Sequence, residues 1–187
     1  MKKLLSLFLC ACLLMLTGAS ALCEVQTVAT PEPRMPSLQD FATTTLEGEE
    51  ATQALWAQAD LTMVNVWATY CGPCLTEMPD LGVLAAAYEG TGVQIVGIVM
   101  DVLDQQWQID EAQADLAREI VQKTGANYTH LLPSPDLIYA ALLDISAVPT
   151  TFFLDKDGNK VGETYMGMRS GEAWKQIVED TKALVAQ

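Results

Sequence analysis

The sequence predicts a mixed α/β sandwich of three layers, with a central sheet between helices. Three observations predict it. Leu61–Trp67 and Val93–Met100 are almost continuously apolar and β-rich, as strands covered on both faces must be. Between them Leu75, Met78, Leu81, Leu84 or Ala85, and Tyr88 recur at helical spacing. Finally, Thr150–Asp155 and Lys160–Tyr165 flank Asp155-Lys156-Asp157-Gly158-Asn159, a hairpin turn by composition. Parallel units joined by helices and followed by an antiparallel pair give one mixed sheet.

The elements follow in order. Residues 22–36 hold three prolines and few large apolar side chains, which predicts a flexible tether, and the domain occupies 37–187. Phe41 to Thr45 and the residues near Ala51 predict a short hairpin around Gly48, and Thr52 to Ala59 a brief helix. The first long helix runs from about Cys71 to Tyr88, and Pro79 inside it should kink it by removing a backbone hydrogen bond. Gln108 to Lys123 is a second helical pattern, rich in Ala and Glu, ending at Gly125. Asn127 to Leu132 then predicts a strand and Pro135 to Asp144 a short helix. A last amphipathic helix extends from the N-cap Ser170 to Val185. At 187 residues the chain has room for one domain plus a short extension.

A formal charge of −14 at pH 7 excludes nucleic acid and anionic membrane surfaces as partners. Residues 1–21 begin with Lys2 and Lys3, continue through an apolar stretch and end in Ala19-Ser20-Ala21, the layout of an export signal. Cleavage after Ala21 is one outcome. Because the apolar run from Leu4 to Leu22 is 19 residues long, an uncleaved membrane anchor is another, and lipidation at Cys23 a third. All three place the domain outside the cytoplasm, either secreted or attached to the outer face of the cell membrane.

Of five cysteines, Cys10 and Cys12 lie in the export segment and Cys23 at its edge, leaving Cys71 and Cys74 in the domain. A pair three positions apart closes too short a loop to staple a fold, so in an oxidising compartment it is a working disulfide. Cys71-Gly72-Pro73-Cys74 falls where a buried strand ends and a helix begins. Unpaired amides and the helix dipole there favour a thiolate at Cys71 by about 0.3–1 kcal/mol, while the acidic field of the chain opposes it. Helical geometry turns Cys74 toward the body of the domain and leaves Cys71 at the exposed tip. Cys71 is thus the attacking nucleophile and Cys74 the resolving thiol. Pro73 fits the first turn, where no intrahelical donor is needed. Glu77, three residues after Cys74, shares its helix face, where an inward carboxyl can act as general acid and base.

Trp67-Ala68-Thr69-Tyr70-Cys71-Gly72-Pro73-Cys74, followed by Glu77-Met78-Pro79 and much later by Val148-Pro149-Thr150-Thr151-Phe152, resembles the TlpA/ResA branch of the thioredoxin superfamily. The resemblance runs from about Asn65 to the last helix. Tyr70 stands where that family usually has tryptophan, and Asn65 where thioredoxins proper carry a buried aspartate. It implies a thioredoxin-like fold and an exported thiol-disulfide oxidoreductase. It further implies that Pro149 is a cis-proline against the disulfide, that Val148 offers its backbone to a substrate peptide, and that Glu77 exchanges protons with Cys74. Tyr70 would then sit at the substrate rim, and a membrane thiol carrier of the CcdA or DsbD type would deliver electrons. We expect a monomer without cofactor.

Other readings of the cysteine pair remain open. An oxidase or isomerase of the same fold would use the same residues, though an uncharged Gly-Pro dipeptide leans toward reduction. A structural zinc site needs two further ligands, and the mature chain offers only Cys23 and His130. A metal-binding chaperone of this fold would want three residues between its cysteines and a dedicated histidine. His130 is read as an ordinary strand-end residue, and Trp67 as core packing beneath the site.

Overall fold

The computed structural model describes residues 37–185. In chain order, β1 (Ala42–Thr44) and β2 (Glu50–Thr52) lead through a 3-10 turn, Gln53–Gln58, into β3 (Leu61–Trp67). Then come α1 (Gly72–Tyr88), β4 (Val93–Val99), α2 (Glu111–Thr124), β5 (Thr129–Leu131) and α3 (Pro135–Leu137), which continues as a π turn over Ile138–Leu142. The chain ends with β6 (Thr150–Asp155), β7 (Lys160–Met166) and α4 (Gly171–Val185).

β1 and β2 form a hairpin, and the other strands make one sheet in the order β5-β4-β3-β6-β7. β3 lies parallel to β4, β4 parallel to β5, and β6 antiparallel to both β3 and β7. Every residue of β3 is buried, as its apolar run requires. Alternation along the strand divides two cores. Val64 and Val66 face Leu38, Phe41, Trp56, Leu137 and Leu142, whereas Leu61, Met63 and Trp67 face the layer of α1, α2 and α4. The free edge of β5 is strapped by the end of β1 and the residues after it: Leu46 donates to the His130 carbonyl at 2.9 Å, and Leu132 to that of Thr44 at 2.8 Å.

Several boundaries differ from expectation, each for a local reason. Helix α1 starts at Gly72, because Cys71 is its cap, and it continues through Pro79, whose ring lies on the exposed side. Helix α2 starts at Glu111 rather than near Gln108. Asp104 takes the amides of Gln106 and Gln108 into a tight loop, and Asp110 caps the helix by accepting from Ala112 and Gln113. It ends at Gly125, whose φ of 69° is the left-handed cap glycine permits. The helix expected over Pro135 to Asp144 is a short α turn plus the π turn. Ser170 does precede α4, accepting from Ala173 and Trp174.

The export segment (1–21), the tether (22–36) and Cys23 lie outside the described residues. Among those described, no helix is long and apolar enough to cross a membrane.

Candidate active site

The end of β3 carries the chain through Ala68-Thr69-Tyr70 to the start of α1. This connection is fastened rather than loose. Asp101, just past β4, accepts from the Thr69 amide at 3.0 Å and from its hydroxyl at 2.6 Å, and Gln113 of α2 donates to the same hydroxyl. The Cys71 amide closes the turn onto the Ala68 carbonyl at 3.1 Å. Cys71 and Cys74 are joined as a disulfide with their Cα atoms 5.2 Å apart, and the Cys71 sulfur accepts from the Cys74 amide at 3.2 Å. That amide is one of the unpaired donors of the helix start, and it favours negative charge on the sulfur once the bond is reduced.

Cys74 is wholly buried, as expected, but Cys71 is only 5% exposed, so the tip is more shielded than its helix position alone suggests. Both cysteines belong to an apolar cluster with Trp67, Ala68, Met78 and Val102, and Val148 packs against it. The Val148–Pro149 peptide bond is cis, and the Pro149 carbonyl accepts from Gly167 at 2.8 Å. Strand pairing of β6 begins only at Thr150, so the main chain of Val148 enters no ladder. Tyr70, immediately before Cys71, is 76% exposed. The sequence-marked residues Cys71, Cys74 and Val148 therefore meet in one cluster, with Tyr70 on the surface beside it.

Glu77 lies one turn beyond Cys74 and is buried. Its Oε1 accepts from Asn65 Nδ2 at 3.0 Å, and its Oε2 accepts from the Arg169 amide and from Trp174 Nε1, both at 3.1 Å. Burial pushes the carboxyl above its ordinary 4.5, while the three donors and the Arg169 charge pull the other way. The Arg169 guanidinium stacks over the Tyr165 and Trp174 rings, which fixes the segment that supplies its amide.

His130 is not the strand-end residue expected from sequence. It sits in the middle of β5, fully buried, with Nδ1 accepting from Trp67 Nε1 at 3.1 Å and Nε2 donating to the Ala126 carbonyl at 2.9 Å. Burial lowers its pKa to about 4, so it is neutral. Its ring lies against Gly97, where a Cβ would come within 2.1 Å of Nδ1. Among the described residues, no group of three or more His, Cys, Asp or Glu is placed to hold a metal.

Sequence reasoning missed Asp101, Gln113, Arg169 and Trp174 as supports of the site. Only Trp174 left a usable signal: a tryptophan on the buried stripe of an amphipathic helix needs a partner for its indole N–H.

This geometry agrees with what the chain is similar to. Residues 36–161 match the AhpC/TSA family. The chain is 28% identical over 183 residues to the thiol-disulfide oxidoreductase ResA of Bacillus thuringiensis, covering 96% of each chain. It is 27% identical to the ResA of Geobacillus thermodenitrificans, over 76% of this chain and 75% of that one. The crystal structure of a thiol:disulfide interchange protein of the thioredoxin family from Chlorobium tepidum superposes with a TM-score of 0.62 at 25% identity, covering 80% of this chain and 97% of that one. A cysteine pair at disulfide distance, capping a helix on a sheet of this order, is thiol-disulfide exchange machinery, and the chain belongs to the AhpC/TSA family as a ResA-like thiol-disulfide oxidoreductase of the thioredoxin fold.

Proposed function

We propose that the protein reduces disulfides of exported proteins outside the cytoplasm, with Cys71 as nucleophile, Cys74 as resolving thiol and Glu77 as proton carrier. The observation that carries this reading is the buried carboxyl of Glu77 one helical turn from the buried Cys74. In the reduced protein the Cys71 thiolate attacks one sulfur of the substrate disulfide. A Cys71–substrate bond forms, and the other substrate sulfur leaves as a thiolate and takes up a proton. Cys74 then gives its proton to Glu77 and attacks the Cys71 sulfur, closing the Cys71–Cys74 disulfide and releasing the second substrate sulfur as a thiolate, which takes up a proton as Glu77 gives its own back to solvent. Two electrons have passed to the substrate. A membrane thiol carrier of the CcdA or DsbD type, itself a dithiol, restores them by the same exchange. Tyr70 and the backbone at Val148 and Pro149 form the rim against which the substrate segment lies. The export-type layout of residues 1–21 supports the location.

The reduction potential of the Cys71/Cys74 couple tests the direction. A value near the roughly −270 mV of thioredoxin supports a reductase, and one near the roughly −120 mV of a dedicated oxidant overturns it. The role of Glu77 has its own test. Glu77→Gln keeps the shape but cannot carry the proton, so turnover should fall by about ten-fold or more. The pH profile of the wild type should contain two apparent pKa values, because thiol and carboxyl titrate as a pair, and one of them should vanish in the variant. Wild-type rates with an unchanged profile would remove Glu77 from the mechanism.

A further inference from the structure

Asn65, within β3, is fully buried and uses only one end of its amide. Nδ2 donates both to Glu77 Oε1 and to Thr151 Oγ1, each at 3.0 Å. Oδ1 meets no donor, one of two such buried side-chain atoms among the described residues. Leaving an acceptor unpaired in a dry interior is costly, so the arrangement calls for a physical reason.

The donor set of Glu77 supplies one. Its Oε2 faces the Arg169 amide and the Trp174 indole N–H, which donate only and cannot reverse. The present network thus suits an ionised carboxylate. When Glu77 takes up a proton, Oε2 is closed to it, and the proton resides on Oε1 and must be donated to an acceptor. The partner of Oε1 is Asn65. Half a turn of the terminal amide puts Oδ1 where Nδ2 stood. The Thr151 hydroxyl both donates and accepts, so it can follow the reversal by turning its proton toward Oδ1.

We propose that Asn65 is a positioning residue whose amide reverses with the protonation of Glu77, turning Nδ2 to the carboxylate and Oδ1 to the carboxylic acid. An aspartate at this position could not serve both states, since it would set a second negative charge against the ionised Glu77. Asparagine favours neither form, and so leaves the carboxyl free to take and return the Cys74 proton. The inference rests on the proton role proposed above for Glu77, but its readout does not depend on turnover.

The ionisable groups near Glu77 are Cys74, one turn before it on α1, Arg169 ahead of α4 and Tyr128 ahead of β5, with His130 on β5 packed against the Tyr128 ring. Arg169 remains a cation, and burial holds the Tyr128 phenol well above its usual range. His130, at about 4, is neutral above about pH 5. In the oxidised protein Cys74 is bound in the disulfide and does not titrate. Glu77 is then the group whose charge changes at this place.

The experiment is nuclear magnetic resonance on the oxidised, isotope-labelled full chain. With Glu77 ionised, the Asn65 side-chain amide protons should show contacts to Thr151. These should disappear as Glu77 protonates. In Glu77→Gln the two fixed donors at Oε2 hold the side-chain oxygen, so its NH2 faces Asn65 and donates as the acid would; the low-pH pattern should therefore persist at every pH. A second variant gives a number. If Asn65 serves both states, Asn65→Leu should change the ionisation constant of Glu77 by less than about three-fold, whereas loss of a fixed donor to a carboxylate changes it by about ten-fold or more. Thr151 contacts that persist through the Glu77 titration and in Glu77→Gln would overturn the proposal, and so would a ten-fold shift in Asn65→Leu. A reversing amide in a protein whose Glu77→Gln variant turns over normally would leave this inference standing and remove the proton role instead.

Discussion

Cys71→Ser is expected to reduce disulfide turnover to background, and Cys74→Ser to react once and stop. The asymmetry follows from position. Cys71 caps α1, where the Cys74 amide points at its sulfur, while Cys74 lies wholly inside the domain in one cluster with Met78 and Trp67. A serine hydroxyl at 71 is not ionised at neutral pH and cannot exchange with a disulfide. With serine at 74 the first attack still proceeds, but no thiol remains to release the substrate. The variant should accumulate as a mixed disulfide through Cys71, seen in non-reducing gels and by intact mass, and be recovered by added dithiol. Normal turnover by Cys74→Ser would end the assignment of two roles, and trapping through position 74 in a Cys71→Ser protein would invert it.

Acid should destabilise the fold through His130. In the native state its pKa is lowered to about 4 from the ordinary 6.5, because burial excludes the charged ring and Nδ1 must stay bare to accept from Trp67. The unfolded chain therefore binds more protons between those values, and stability falls as pH drops from about 6.5 to about 4. The full effect is on the order of 3 kcal/mol. Glu77 acts in the opposite sense: its raised pKa makes its ionisation costly, so protonation on acidification returns some stability. Denaturant midpoints measured from pH 7 to pH 4 should accordingly fall, and fall more steeply in Glu77→Gln. Gly97→Ala provides the structural counterpart. Its methyl would lie 2.1 Å from His130 Nδ1, so the ring must leave its place and lose two hydrogen bonds. A loss of about 2–4 kcal/mol at neutral pH is expected, with a flatter acid limb. A wild-type midpoint constant down to pH 4 would show that His130 is not held neutral.

What could be read from the sequence was what short-range pattern encodes. The paired runs of β3 and β4, the period of α1, the cysteine pair and the carboxyl three residues later all lie within one turn or one strand of their neighbours. The rest depends on contacts between distant positions. Arg169 and Trp174 reach Glu77 across 92 and 97 positions, and no local rule marks a backbone amide as a carboxylate donor. His130 was misread because its burial follows from Gly97, a residue whose only contribution is missing bulk. Helix α2 starts late because Asp104 draws the amides of Gln106 and Gln108 into a loop while Asp110 takes those of Ala112 and Gln113 as a cap, and side-chain capping outweighs helix propensity at that margin.

The strap laid along β5 by Thr44 and Leu46 gives the sheet a gradient of local stability. β3 is held by a strand on each side and covered on both faces, so its amides can meet solvent only when the whole domain opens. The strap is fastened by two main-chain bonds, with Thr43 to the Leu132 carbonyl and Arg118 to the Leu46 carbonyl as side-chain ties. Such a segment lifts away at far lower free energy than the core strands. Hydrogen exchange at Leu46 and Leu132 would then run ahead of exchange at Met63 or Val64. An intermittently open β5 edge is also an unpaired row of donors and acceptors, which makes this border, like the outer edge of β7, a place where the fold can meet unwanted strand pairing.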